Sequence, residues 1–389
     1  MTLTMAMVLI ALAAWLYLLA AHGGFWRGSE RDDGPAPESP AGGWPAVVAI
    51  VPARDEVESI AATIGSLLRQ DYAGSFSVVL VDDQSVDGTA IAAGLAARSA
   101  GCAERLTVLQ GRELPGGWTG KLWAVKQGVD HVEAMADPPD YLLLSDADIA
   151  YAPDSLRRQV AAAAGTEVVL VSRMAKLRCE SLSERALIPA FVFFFQMLFP
   201  FAWVNQPDRR TAAAAGGCML VRRKSLGAAG GIESIRDALI DDCALARRLK
   251  TQGPIRLELA ERVVSLRPYP RLGDIRRMVA RSAYAQLRYS PLWLMGTVAG
   301  MALIFLAPPI LALSASGAAG ILSGLTWLAM ALAYQPTLRF YRLSPLWGLA
   351  LPAIAAIYLC FTIDSAYQHR RGRGGMWKGR AQAKGREAA

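Results

Sequence analysis

The stretch Tyr141-Leu142-Leu143-Leu144-Ser145-Asp146-Ala147-Asp148 is an apolar run that ends in acid. Tyr141–Leu144 reads as a buried strand, and Asp146 and Asp148 stand at i and i+2 on its exit. Two carboxylates so placed can jointly reach a hard divalent cation, since Mg²⁺ and Mn²⁺ take few carboxylates and complete their shells with substrate phosphates. The same letters elsewhere would describe a solvated turn; the strand end is what gives them weight.

Outward from that strand the text alternates. Val47–Val51, Ser77–Val81, Leu106–Leu109 and Val168–Val171 are further strand-like runs, with helical spacing over Glu56–Arg69, from Thr89, and over Lys121–Ala134. Strands alternating with helices predict an α/β domain, a mostly parallel sheet with helices on both faces. Ligands of such a sheet belong at the C-terminal ends of its strands.

Three more polar motifs fall at such ends. Ile50-Val51-Pro52-Ala53-Arg54-Asp55-Glu56 leaves the first strand, and the absence of a GxGxxG there argues against a dinucleotide-binding enzyme. Val81-Asp82-Asp83-Gln84-Ser85-Val86-Asp87-Gly88-Thr89 leaves the second. Asp87 is the natural turn and helix-start residue of this segment, whereas Asp82 and Asp83 are adjacent acids that need a counter-charge or a ligand. Asp241-Asp242 opens a helix whose Leu245 and Leu249 share a buried face. Acids there serve as caps or, alternatively, as a general base that deprotonates an acceptor hydroxyl.

Composition places the domain at a membrane. Of 389 residues, 53% are hydrophobic and 19% charged, with a net charge of +8; an average soluble domain has about 25% charged residues. Thr2–Ala21 is uncharged and long enough to span a bilayer. Met1–Met7 has no Lys or Arg to serve as the n-region of a signal peptide, so residues 1–22 read as an uncleaved anchor and 23–43 as a polar linker. The domain proper occupies 44–288. Within it, Ile188–Val204 reads either as a core helix or, preferred here, as an interfacial helix with aromatics at headgroup depth. Residues 289–367 read as C-terminal spans, near Leu292–Leu313, Gly317–Leu338 and Leu346–Ile363. Three such spans would put the basic tail, 368–389, across the bilayer from the catalytic domain. Both look cytoplasmic by the positive-inside rule, so one segment is expected to be re-entrant or interfacial, and Gly317–Leu338, broken at Gln335, Pro336 and Arg339, is the weakest. No nucleic-acid module is present, and five scattered cysteines without a CxxC pair fit a reducing compartment.

In their order and intervals, VPARDE, VDDQSVDGT, GWTGK (Gly117–Lys121), SDAD, AGGCMLVRR (Ala215–Arg223) and DDCALARRL resemble the inverting GT-A glycosyltransferases of family 2, over about Val47 to Arg288. The likeness is greatest to bacterial hopene-associated glycosyltransferases of hopanoid biosynthesis, supported by SAYAQLRYSPLW and the closing MWKGR. It implies a GT-A nucleotide-diphospho-sugar transferase fold, a nucleotide-sugar donor (a UDP-sugar foremost), a membrane lipid acceptor and a Mg²⁺ or Mn²⁺ cofactor. It also implies roles. Pro52, Glu56 and Asp83 would line the base and ribose pocket, Lys121 would lie near the nucleotide, and Asp146 would face the ribose or sugar. Asp148 would hold the metal, Asp242 would be the general base, and Arg281 would meet the leaving diphosphate. Gly216 and Gly217 would let the backbone approach the acceptor. Asp241 replaces the commoner glutamate, and Arg277–Ser282 lacks the Trp of the processive QxxRW element, which favours single transfer. The implied location is the bacterial inner membrane, multi-pass, with a cytoplasmic catalytic domain. Rival readings are a polyprenyl-phosphate glycosyltransferase, a polysaccharide synthase, and a non-catalytic nucleotide-binding membrane protein.

Overall fold

The computed structural model describes residues 2–35, 38–372, 376–377 and 380–381. Eight strands form one sheet: β1 (Val47–Ala53), β2 (Phe76–Asp82), β3 (Leu106–Gln110), β4 (Tyr141–Ser145), β5 (Ile149–Tyr151), β6 (Leu170–Lys176), β7 (Cys218–Arg222) and β8 (Ile255–Ser265), in the order β3-β2-β1-β4-β7-β6-β8-β5. The half β3-β2-β1-β4 is parallel. Every residue of β1 is buried, as befits a strand covered on both faces.

The other half departs from the mostly parallel expectation and makes the sheet mixed. β7 runs antiparallel to both β4 and β6, and β5 antiparallel to β8. The connection from β6 to β7 passes through the helices Leu182–Leu198 and Phe201–Val204. It never recrosses the sheet, so β7 starts from the rim where β6 ended and runs back.

The helix Gly120–Glu133 follows Thr119, whose hydroxyl accepts from Leu122 N–H and caps it. It lies hard against the sheet: a Cβ at Gly128 would come 2.5 Å from Ile50 Cγ2. That closeness brings Lys121, in its first turn, over the end of β1.

The segment expected as a free linker is part of the sheet edge. Asp32 N–H donates to Leu259 O at 3.0 Å and Leu259 N–H to Glu30 O at 2.9 Å. β5 pairs only with Val263–Ser265, so the rest of that edge of β8 would otherwise carry unpaired backbone groups. The Asp32 side chain is buried and faces Arg173, which also faces Glu258.

Ile188–Val204 is also corrected. Of its aromatics, expected at headgroup depth, Phe193, Phe194 and Phe201 are core and the others half-buried: Phe193 packs against Phe25 and Tyr334, with ring centroids 5.3 and 5.2 Å away. Phe194 packs against Phe305 and Tyr358 at 5.7 and 5.1 Å. The helix is the seam between the catalytic sheet, the N-terminal segment and the C-terminal helices, so its apolar faces meet protein on several sides.

Among the described residues three helices are long and apolar enough to cross a membrane: Leu3–Ala20, Pro291–Ser314 and Gly317–Phe340. The segment expected to be weakest, Gly317–Leu338, is among them, and the helix covering Leu346–Ile363 is not. That helix, Leu351–Arg370, carries Asp364, His369 and Arg370 in its last two turns and packs against the catalytic domain. Tyr358 donates to Leu187 O, and Ser365 Oγ accepts from Tyr284 N–H while donating to Ala280 O. Of the tail, Arg373 and Lys378 lie outside the described residues.

Pro308 does not end the helix Pro291–Ser314. Proline has no N–H to give Ile304 O, four residues back. Trp15 Nε1–H, from the N-terminal helix, donates to that oxygen at 2.7 Å, and the turn around it widens into a π-helix over Ala302–Leu306. Trp15→Phe keeps most of the ring and loses the donor, leaving the carbonyl unpaired in an apolar setting. A loss of about 1–3 kcal/mol is expected, read as a lower melting temperature of the detergent-solubilised chain; an unchanged melting temperature would refute it.

Candidate functional site

The rim where β1, β2 and β4 end gathers the motifs. Two loops lock together first. Asp55 N–H donates to Ser85 Oγ and Val86 N–H to Asp55 Oδ1, at 3.0 and 2.9 Å. Asp55 and Gln84 have φ of 50° and 57°, left-handed conformations that a non-glycine residue adopts at a cost and that cluster at ligand sites. Asp87 accepts from Val57 N–H at the start of one helix and from Thr89 at the start of the next. It is structural, as its turn position suggested.

The adjacent acids split their work. Asp82 accepts from Ser85 N–H and shapes its own turn. Asp83 is fully buried and faces Arg54, whose Nη1 donates to Asp83 O at 2.5 Å and stands 3.6 Å from Oδ2. Asp83, expected to line the base and ribose pocket, is thus a buried carboxylate at the end of β2 with a cation beside it.

Three remote segments meet on Lys121. Its ammonium lies 2.8 Å from Asp146 Oδ1 and 3.1 Å from Asp241 Oδ2. Burial alone would lower the lysine pKa, but Asp146 and Asp241 outweigh it and hold it above the ordinary value. Asp242 sits beside this cluster. Its Oδ2 accepts from Gly216 N–H at 3.0 Å and its Oδ1 from Cys243 N–H at 2.7 Å. Burial first, and the Asp241 charge second, push its carboxyl up to about 6, against the pull of Lys121. A Cβ at Gly216 would stand 3.4 Å from both Asp242 Oδ2 and Lys121 Nζ, so a side chain there would crowd the approach to both groups. Ser172 Oγ, accepting from Ala215 N–H, fixes the preceding residue. A small cleft, partly open to solvent, lies among Pro52, Lys121, Asp146, Gly216 and Asp241 and is backed by Ile232 and Leu245.

Asp148 faces a cation that its sequence setting did not reveal. Arg267, just past the end of β8, puts Nε 2.5 Å from Asp148 Oδ2 and Nη2 2.7 Å from Glu56 Oε1. Tyr269 stands nearby. Burial pushes its hydroxyl up to about 12, with Arg267 and Arg281 pulling down and Asp148 and Asp146 pushing up. Arg281, expected to meet the leaving diphosphate, is exposed at the end of the helix Leu272–Ala280, and its charge acts on Tyr269; Arg267 is the cation beside Asp148.

Asp146 and Asp148 are hard oxygen donors two residues apart, and each already faces a cation. That fits a small dication that takes one or two carboxylates and leaves other positions to phosphate oxygens. Among the described residues there is no group of three acid, His or Cys side chains that would make a closed metal cage.

Comparison with known proteins bears on the fold just described. A family model described as "Glycosyltransferase like family 2" matches residues 45–266. Among solved structures, a mannosyltransferase from Pyrobaculum calidifontis, in complex with GDP-Man and Mn²⁺, is 21% identical with a TM-score of 0.60, covering 95% of this chain and 100% of that one. A glucosyl-3-phosphoglycerate synthase from Mycobacterium tuberculosis, in complex with Mg²⁺ and UDP, is 17% identical with a TM-score of 0.40, covering 63% of this chain and 79% of that one. The search of curated proteins gave no match.

Proposed function

The chain belongs to the glycosyltransferase-like family 2, and from that premise we propose that it moves a sugar from a nucleotide-diphosphate sugar, a UDP-sugar foremost, to a hydroxyl of a membrane lipid related to the hopanoids, inverting the anomeric carbon. The observation that carries the reading is Asp242: two backbone N–H groups aim its carboxylate, its pKa of about 6 suits a base at neutral pH, and one of those N–H groups belongs to Gly216, which lines the cleft with Lys121 and Asp241.

In this reaction the acceptor hydroxyl attacks the anomeric carbon as Asp242 takes its proton. The bond from that carbon to the diphosphate oxygen breaks on the opposite face, and its electron pair leaves with the nucleotide diphosphate. Pro52, Glu56 and Asp83 would wall the base and ribose. Lys121 holds a positive charge against Asp146, where it can meet phosphate, and Arg281 would reach the diphosphate from the rim. Asp148, with Asp146 beside it, would hold Mg²⁺ or Mn²⁺, which when bound offsets charge on the leaving group. The mannosyltransferase of similar fold was solved with GDP-Man and Mn²⁺, which supports this metal.

The membrane setting rests on a collar at the base of the C-terminal hairpin. Arg276 and Arg277 pair with Asp364 and Asp274, while Arg288, Arg370 and Arg371 are exposed and Trp293 and Tyr367 stand out beside them. Arginines flanked by interfacial aromatics suit an anionic cytoplasmic leaflet, here that of a bacterial inner membrane. Two C-terminal crossings, out and back, keep the tail on the catalytic side and remove the conflict that three spans created.

Mass spectrometry of membrane lipids with and without the gene tests the acceptor. Loss of a hexose-sized increment from a neutral lipid is expected; loss from a polyprenyl phosphate would move the acceptor to that class, and an unchanged profile would overturn both. The pH profile tests the base. kcat/KM should fall below about pH 6, where Asp242 gains its proton. Asp241→Asn removes a negative neighbour, favours the ionised form of Asp242 and should move this limb to lower pH. A limb that stays put would separate it from Asp242.

A further inference from the structure

Arg267 holds the carboxylate that the proposed reaction gives to the metal, and its placement is built in. Leu266 N–H donates to Asp148 O at 2.7 Å, so the backbone of the arginine is tied to the residue that its side chain grips. The fork then spans two acids from different loops, 2.5 Å to Asp148 and 2.7 Å to Glu56. The two carboxylate side chains are 12% and 13% exposed and the arginine 37%. The guanidinium thus reaches inward from the open side and has solvent to withdraw into. Paired charge-assisted bonds of this kind are among the stronger polar contacts. A dication and a guanidinium on one carboxylate would also repel each other at contact distance.

We infer that Arg267 is a resident competitor of the metal for Asp148. In the metal-free site it neutralises Asp148 and Glu56 and keeps the two loops together; a dication settles only when the guanidinium lets Asp148 go. The inference rests on the proposed metal role of Asp148. An apparent affinity is weakened by the fraction of molecules whose site is open. If about one molecule in ten has Asp148 released, removing the competitor tightens binding about tenfold. An arginine that merely braces the loops would change stability and leave metal affinity alone or weaken it.

The test is Mn²⁺ binding to the full detergent-solubilised chain without donor, followed by electron paramagnetic resonance of the free ion. Arg267→Gln should bind about tenfold tighter than the parent, Arg267→Lys, which keeps the charge and loses the fork, should fall between them, and Asp148→Asn should lose the site. If the parent binds through Asp148 and neither arginine variant binds tighter, the competitor role is overturned while the metal reading stands. If binding in the parent does not depend on Asp148, the metal reading falls and the inference with it. Should Arg267→Gln fail to fold, the lysine variant alone decides, by binding tighter than the parent or not.

Discussion

Asp242→Asn is expected to lower kcat for sugar transfer by about 10²–10⁴-fold, the usual contribution of a positioned general base, with donor binding retained. The substitution removes the proton acceptor and almost no volume. It loses one of two backbone contacts, because an amide offers one oxygen where the carboxylate offers two to Gly216 and Cys243 N–H. Against that small loss, a neutral side chain escapes both the burial and the Asp241 repulsion that raise the aspartate's pKa. The fold should therefore hold. Single-turnover transfer and calorimetric titration with the nucleotide are the two measurements; parent-like turnover would remove Asp242 from the chemistry.

Lys121→Met is expected to damage stability and chemistry together. The ammonium is the shared counter-charge of Asp146 and Asp241, and its side chain is 20% exposed. Breaking a buried ion pair by removing one partner costs roughly 3–5 kcal/mol; with this much solvent access the lower end is expected. The charge also pulls the Asp242 carboxyl down, so its removal moves the acid limb of kcat/KM to higher pH, opposite to Asp241→Asn. A melting curve and a pH profile of the same sample check both halves. A lowered melting temperature with an unmoved limb would make Lys121 a brace and nothing more.

The parallel half of the sheet was legible because each of its strands is a short apolar run closed by a polar loop: Val47–Val51 was expected where Val47–Ala53 is found, and Tyr141–Leu144 where Tyr141–Ser145 is found. The direction of β7 was not legible. It depends on a connection that stays on one rim, and Cys218–Arg222 carries no mark of direction. Lys121, Asp146, Asp241 and Asp242 could be singled out one at a time by motif, but their meeting is set by how the Gly120–Glu133 helix lies on β1 and how the chain returns at Gly216. Arg267 escaped notice because its partners are 119 and 211 residues away, and an arginine before Pro268 in a loop is unremarkable by itself. Ile188–Val204 was misjudged for a related reason: an aromatic apolar helix has the same composition whether it meets lipid or protein, and only the partners Phe25, Tyr334 and Phe305 decide.

The pairing of Glu30–Asp32 along β8 has a mechanical consequence. The chain between the apolar N-terminal helix and the catalytic sheet has little slack to swing on: His22 binds Met197 O at one end of it and Asp32 is locked beneath Arg173 at the other. With its second attachment at the C-terminal hairpin, the catalytic rim is mounted like a shelf at one depth. For the lipid acceptor proposed above, the depth of its hydroxyl relative to the bilayer surface would then discriminate before any contact in the pocket. Lengthening the segment between Asp33 and Trp44 should matter little to that discrimination, whereas cutting the β8 pairing should blur it.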